Sequence, residues 1–183
     1  MSRLFVLTGP SGAGKSSIAH ALFAQPELRI EKFITCTTRK PRLGEKHGKD
    51  YWFINEADFK KQIAENGFFE WAHVYGHYYG SSVQEMKRVL QGSNTVLIIL
   101  DVQGAKTIKL LYPETTIIFL DASKDSLIHR LEARGDSAED IDRRMERFEE
   151  EKRFRSLSDF TIVNADGDLA AAIESVKLII LAQ

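Results

Sequence analysis

A single cysteine, Cys36, stands in 183 residues, so no disulfide can form within the chain, which fits a reducing compartment. Its place in the run 33–38, apolar and then threonine-rich, predicts a buried or half-buried strand residue rather than a nucleophile. An excess of one charge is also missing. The 25 Lys and Arg against 26 Asp and Glu leave a formal net charge of −1, and no global field draws the chain to nucleic acid or to a membrane surface. No apolar run approaches transmembrane length; the longest in mid-chain, 96–100, is strand-sized. The histidines His20, His47, His73, His77 and His129 are scattered without an accompanying ligand cluster, so no zinc site is expected. The N-terminus carries no signal-peptide pattern, since a Gly-rich loop follows almost at once. Together these absences predict a cytoplasmic protein with neither nucleic acid nor membrane as partner. Repeats, low-complexity tracts and linkers are missing as well. What remains is an ordinary composition, 43% hydrophobic and 28% charged, of one globular unit able to bury a core.

The feature present in full is Gly9-Pro10-Ser11-Gly12-Ala13-Gly14-Lys15-Ser16, the G-x-x-x-x-G-K-[ST] phosphate loop. Its glycines reach backbone conformations closed to other residues. The loop can therefore turn its N–H groups inward as a nest for phosphate oxygens. Lys15 adds a point charge for the β- and γ-phosphates, and Ser16 offers a hydroxyl to Mg²⁺; Ser17 follows at the start of the next helix. The context is right. Residues 4–7 form a short apolar run with β character, and Ile18, Ala19, Leu22 and Phe23 then recur at helical spacing until Pro26 ends the pattern.

Strand-like apolar runs at 4–7, 96–100, 116–120 and 160–163 alternate with helical patterns at about 15–24, 102–111, 123–134, 137–156 and 168–181. The alternation predicts an α/β fold: a parallel sheet of the phosphate-loop NTPase type with helices on both faces. Asp101 and Asp121 each end a strand. Either could hold a Mg²⁺-bound water or cap a helix.

Residues 35–81 break the rhythm. A polar loop at 39–50 carries Arg39, Lys40, Arg42, Lys46 and Lys49. After it come Tyr51, Trp52 and Phe53, an amphipathic helix near 56–66, and then Phe68, Phe69, Trp71, Tyr75, Tyr78 and Tyr79 among glycines. This predicts an inserted, β-rich small lobe, and Ser82-Val83-Gln84-Glu85 is a capping box that restarts helix. Two arginines with Tyr51 close by suit a dianionic phosphate, although charge alone favours a solvated loop. Glu70 could accept the adjacent N1–H and N2–H₂ donors of guanine, where adenine would present a lone pair. Sites built for one hydrogen-bonding edge discriminate by ~10⁴-fold or more.

Several segments resemble the guanylate kinase family, in the right order and over nearly the whole chain: residues 37–53, Gly67-Phe68-Phe69-Glu70-Trp71-Ala72, Tyr78-Tyr79-Gly80-Ser81, Leu100-Asp101-Val102-Gln103-Gly104, Arg130-Leu131-Glu132-Ala133-Arg134-Gly135 and Ile162-Val163-Asn164. The resemblance implies a core of 1–34 and 82–183, an inserted GMP-binding lobe at about 35–81 and a helical lid at about 134–150. It implies that Arg39, Arg42, Tyr51 and Tyr79, with Glu45, form the GMP phosphate site, and that Thr35, Glu70 and Ser81 read the guanine beside Asp101. Thr35 is a mild departure, since serine is expected there. ATP would lie on residues 9–17, with Lys15, Arg39, Arg134 and Arg144 as the catalytic cations and Mg²⁺ reached by Ser16 and, through water, Asp101. The resemblance thus favours Asp101 as the metal-side acid and leaves Asp121 as the expected cap. The implied reaction is ATP + GMP = ADP + GDP. It needs no general base, because the acceptor phosphate is already largely ionised at neutral pH. A kinase of the same fold acting on another small molecule, and a binding module without catalysis, are the competing readings.

Overall fold

The computed structural model describes residues 2–74, 76–92 and 95–183; Tyr75, named above among the aromatics, lies outside them. In chain order the elements are β1 (Arg3–Thr8), α1 (Lys15–Phe23), β2 (Ile30–Lys32), β3 (Cys36–Thr37), β4 (Trp52–Phe53), α2 (Glu56–Ala64), β5 (Phe68–Val74), β6 (His77–Ser82), α3 (Val83–Gly92), β7 (Thr95–Ile99), α4 (Val102–Leu111), β8 (Thr116–Asp121), α5 (Lys124–Ala133), α6 (Ala138–Glu146), α7 (Phe148–Arg153), β9 (Phe160–Val163) and α8 (Leu169–Ala182).

Five strands form one sheet in the order β2-β7-β1-β8-β9, every pairing parallel. Strand periodicity sorts the side chains onto two faces. Phe5, Leu7, Leu97, Ile118 and Leu120 join one apolar cluster with α1 and α8. Their neighbours Leu4, Val6, Val96, Ile98, Ile117 and Phe119 join a second with α3 and α4. Both faces are covered, as the continuous apolar runs predict, and each fully buried Leu, Ile or Phe contributes ~1.5–3 kcal/mol. Among the described residues, no helix is long and apolar enough to cross a membrane.

A second sheet, β4-β3-β6-β5, is built from the segment that breaks the alternation. It is mixed, with β3 and β4 parallel and the other pairs antiparallel. It has its own small core, in which Cys36, Phe59 and Phe68 are buried against Trp52, Ile54, Ile63 and Tyr78. Burial pushes the Cys36 thiol up to about 12, which keeps it protonated and inert. His73 and His77 stand on the two strands of the β5–β6 hairpin rather than on a helix.

Four local expectations need correction. The pattern at 137–156 is not one helix: α6 ends at Glu146, α7 begins at Phe148, and a 3₁₀ turn, Phe154–Leu157, follows. The break lets Phe148 enter the first core cluster and Phe154 the second. The edge strand β2 was not foreseen, because three residues are too few to show a period. Asp121 is not a cap. Ser123 caps α5 by accepting from the Ser126 amide, and the buried Asp121 instead pairs with Arg155 at 3.1 Å. The capping box is half made: the Glu85 amide donates to Ser82 Oγ at 3.1 Å, while the Glu85 carboxylate turns to the Ile34 amide and Arg88.

Candidate active site

The phosphate loop leaves β1 at its carboxyl end, where ligands collect in open parallel sheets. Gly9 has φ 134° and Gly14 φ 98°, both in the region that favours glycine. A Cβ on Gly9 would sit 2.3 Å from the Leu120 carbonyl oxygen, and one on Gly14 2.4 Å from Asn164 Nδ2. The loop is thus pressed against the ends of β8 and β9, and Asn164 Nδ2 donates to the Ala13 carbonyl at 2.9 Å.

Lys15 Nζ donates to the carbonyls of Gly9 at 2.5 Å and Pro10 at 2.9 Å. Burial lowers its pKa to about 8, against the raising influence of Glu151 and Asp101 and with a lowering one from Arg144 and Arg134. An ammonium held this way gains when an anion arrives. Ser16 and Ser17 open α1 at the cleft, and both line it.

The cleft has a volume of about 540 Å³. Gly9, Ser11, Gly12, Gly14 and Lys15 to Ser17 line it from the phosphate loop and the start of α1, together with Thr35, Arg42, Glu45, Tyr51, Glu70 and Tyr79 from the segment 35–81. Asp101, Arg134 and Arg144 line it as well. Asp101 caps α4, accepting from the Gly104 amide at 2.8 Å, so the helix-cap reading of Asp101 holds for one oxygen. Its other oxygen, Oδ2, is buried without a hydrogen-bond partner. That orphan acceptor and the Ser16 hydroxyl are donors suited to a hard cation, which prefers oxygen ligands. Among the described residues no group of three His, Cys, Asp or Glu forms a cage, so the fit is to a cation carried mainly by a ligand's own phosphates.

Glu70 is buried on β5 opposite Ser81. Burial raises its pKa to about 7; Ser81 favours the charged form and Asp101 opposes it. The buried Ser81 hydroxyl has no other hydrogen-bond partner among the described residues; with the Ser81 amide it faces the Glu70 carboxylate. Gly104 makes room for them, since a Cβ there would stand 3.1 Å from Glu70 Oε2.

Burial raises the Tyr51 pKa to about 12, keeping it a hydroxyl donor, and its ring stands edge-on to Tyr79 at 6.2 Å. Burial, then Arg134 and Arg39, lower the Arg42 pKa, which marks a spot crowded with positive charge. Arg39 does not line the cleft: its Nη2 donates to both Glu45 oxygens at 2.9 Å, its Nη1 to the Lys40 carbonyl, and its guanidinium lies 5.4 Å from the centre of the Tyr51 ring. Ser81, Pro10 and Ala13 also stay behind the lining. Ser81 is fully buried on β6 beside Glu70, and Ala13 faces the core.

Arg144 Nη1 donates to Ser11 Oγ at 2.8 Å, joining α6 to the phosphate loop. Three cleft residues were quoted in motifs without being assigned a role or were not foreseen. Asn164 and Glu151 line the cleft with Lys15. Arg130 reaches the Asn164 carbonyl at 2.8 Å and pairs with Asp166. A strand-ending Asn and a helix rich in mixed charge carry no distinctive signal in one sequence.

The cleft gathers the phosphate loop, Lys15, Arg42, Arg134 and Arg144 with the polar groups of Thr35 and Glu70, an arrangement suited to an anionic ligand. The guanylate kinase family profile matches residues 1–183. The chain is 40% identical over 182 residues to a guanylate kinase of Caldanaerobacter subterraneus subsp. tengcongensis, covering 98% of this chain and 87% of that one. It is 42% identical over 171 residues to one of Shewanella oneidensis, covering 92% and 83%. Its structure is similar to that of a guanylate kinase from Anaplasma phagocytophilum, with TM-score 0.80, 26% identity and 99% and 85% coverage. A shikimate kinase from Bacteroides thetaiotaomicron, at TM-score 0.57 and 14% identity, shares the fold alone.

Proposed function

Because this chain belongs to the guanylate kinase family of phosphotransferases, we propose that it transfers the γ-phosphoryl group of ATP to GMP, giving ADP and GDP, and so recycles GMP in purine nucleotide metabolism in the cytoplasm. The observation that carries this reading is the continuity of the cleft. One cavity runs from Lys15 to Glu70, so a donor on the phosphate loop and an acceptor on the second sheet meet without intervening protein.

In this reading residues 9–17 hold the ATP phosphates, and Arg42, Tyr51 and Tyr79 receive the GMP phosphate, with Arg39 reaching it after release from Glu45. Thr35, Glu70 and Ser81 read guanine: N1–H and N2–H₂ donate to the Glu70 carboxylate, and the Ser81 hydroxyl beside it completes the pocket. Segment 35–81 acts as the acceptor lobe and 134–150 as the lid. Lys15, Arg134 and Arg144 converge on the transferring group and neutralise charge as it spreads over the equatorial oxygens. Ser16 and Asp101 would hold a Mg²⁺ ion brought with ATP, which would supply further neutralisation of the phosphate charge. No side chain has to remove a proton, since the acceptor is an ionised phosphate. Lid closure keeps water from competing as acceptor.

A coupled assay of ADP formation across GMP, AMP, UMP and a sugar phosphate tests the reading. GMP is expected to be used far better than the others. Equal use of AMP or the sugar phosphate would return the chain to the broader class of small-molecule kinases, and no turnover with any of them would leave a binding module.

A further inference from the structure

Asp136 has no part in the chemistry above, yet it stands among the lid's arginines. Its position follows from the end of α5. Gly135, at φ 86°, closes the helix with its amide on the Glu132 carbonyl at 2.8 Å, and the Asp136 amide reaches back to Leu131 at 3.1 Å. This paired closure by a left-handed glycine turns the chain back on itself. It brings the Asp136 carboxylate beside Arg134, the last residue before the glycine.

The contacts are directed. Arg134 Nε donates to Asp136 Oδ1 at 2.9 Å, and Nη2 donates to Oδ2. Two parallel bonds of this kind fix the plane of a guanidinium as well as its position. Asp136 Oδ2 also lies 3.4 Å from Arg144 Nε, while Arg144 Nη1 is committed to Ser11 on the phosphate loop. The carboxylate side chain is only 14% exposed. Burial would raise its pKa, but Arg134, then Arg144 and Arg42, outweigh that and hold it below the usual carboxylate range. Three arginines from three segments therefore share one internal anion.

We infer that Asp136 is a positioning residue that serves as a built-in counter-anion, holding Arg134 and Arg144 together as one clamp and balancing the positive charge the lid brings to the phosphate loop. The inference rests on the proposed role of these arginines at the ATP phosphates. Asp136 has two opposing effects on the reaction. Its charge competes with the incoming polyphosphate, weakening ground-state binding. Its paired hydrogen bonds fix the orientation of Arg134, which matters most as charge develops on the transferring group.

Removing the charge therefore splits the two kinetic constants in a way that simple loss of structure would not. For Asp136→Asn, ATP binding by calorimetry is expected to tighten about threefold to tenfold, the size of one screened charge contact. Turnover is expected to fall about tenfold to a hundredfold as the clamp loses its alignment. Asp136→Glu, which keeps the charge and can keep both hydrogen bonds, is expected to bind ATP like the wild-type protein and to recover most of the turnover. Weaker ATP binding in Asp136→Asn, or unchanged binding together with unchanged turnover, would overturn the inference. So would an Asp136→Glu protein no better than Asp136→Asn. The binding measurement needs no acceptor. If the wild-type protein fails to use GMP, the acceptor reading falls alone, and tighter or unaltered ATP binding still decides the role of Asp136.

Discussion

Asn164 Nδ2 donates to the carbonyl of Ala13 at 2.9 Å, tying the end of β9 to the phosphate loop near the opposite end of the chain. The contact is buried, and the same nitrogen lies where a side chain on Gly14 would collide. The loop's shape is therefore set by a neighbour as well as by its own glycines. Asn164→Ala leaves the Ala13 carbonyl without its donor in a dry place. The expected loss of stability is about 1–3 kcal/mol in denaturant unfolding, with the KM for ATP raised more than the KM for GMP. Equal effects on the two substrates would mean that Asn164 serves the fold and not the loop.

Lys15 answers to pH. Burial leaves its pKa at about 8 rather than the ordinary 10.5, and a bound polyphosphate must raise it, because an opposite charge favours the ammonium form. ATP binding then takes up a proton near pH 8, and affinity falls as pH rises through the free protein's value. Calorimetry in buffers of differing ionisation enthalpy reads that uptake directly. Lys15→Ala is expected to lose the proton uptake and to lower kcat about 10²–10³-fold, the range for removing one stabilising group from a charged transition state. Far-ultraviolet circular dichroism should stay unchanged.

The legible and illegible parts of this chain divide by the distance over which the signal acts. The phosphate loop is local: glycines, lysine and serine at fixed spacing state their own conformation. The core strands are legible because burial on both faces leaves an unbroken apolar run, as at 116–120. The break at Arg147 is not local, since it depends on Phe148 and Phe154 belonging to opposite faces of a sheet formed elsewhere. Asp121 misleads for the same reason. Its partner Arg155 lies 34 positions away, whereas Ser123, two residues on, makes the cap. Arg39 reads as a phosphate ligand from its neighbours in sequence, but only the folded chain places Glu45 on its guanidinium.

That pairing makes its own prediction. Arg39 is only 9% exposed; burial acts to lower its pKa, and the Glu45 carboxylate bonded to it counters that. Glu45→Ala removes the acceptor of two hydrogen bonds from Arg39 and of one from the Arg42 amide. A loss of about 1–3 kcal/mol is expected, as for a hydrogen bond to a charged group. Added phosphate or GMP should restore more of the melting temperature in this variant than in the wild-type protein. No difference in that restoration would mean that Arg39 is out of reach of an acceptor phosphate.

Glu70 gives the sharpest pH test, because only one of its two protonation states can accept both guanine donors. With its pKa raised by burial from 4.5 to about 7, the folded protein favours the acid form in a window where the unfolded chain is ionised. Stability on this account falls as pH rises from about 4.5 to about 7, and Glu70→Gln should abolish that slope. Guanine recognition has the opposite sign. Only the ionised carboxylate accepts both N1–H and N2–H₂, so the KM for GMP should rise about tenfold per unit as pH falls below the Glu70 value, while the KM for ATP does not follow it. Glu70→Gln should weaken GMP use far more than ATP use and flatten the GMP profile down to the acceptor's own second ionisation, at about 6. A variant whose GMP and ATP constants shift together would assign Glu70 to the packing of β5 and β6 and leave guanine to be read elsewhere.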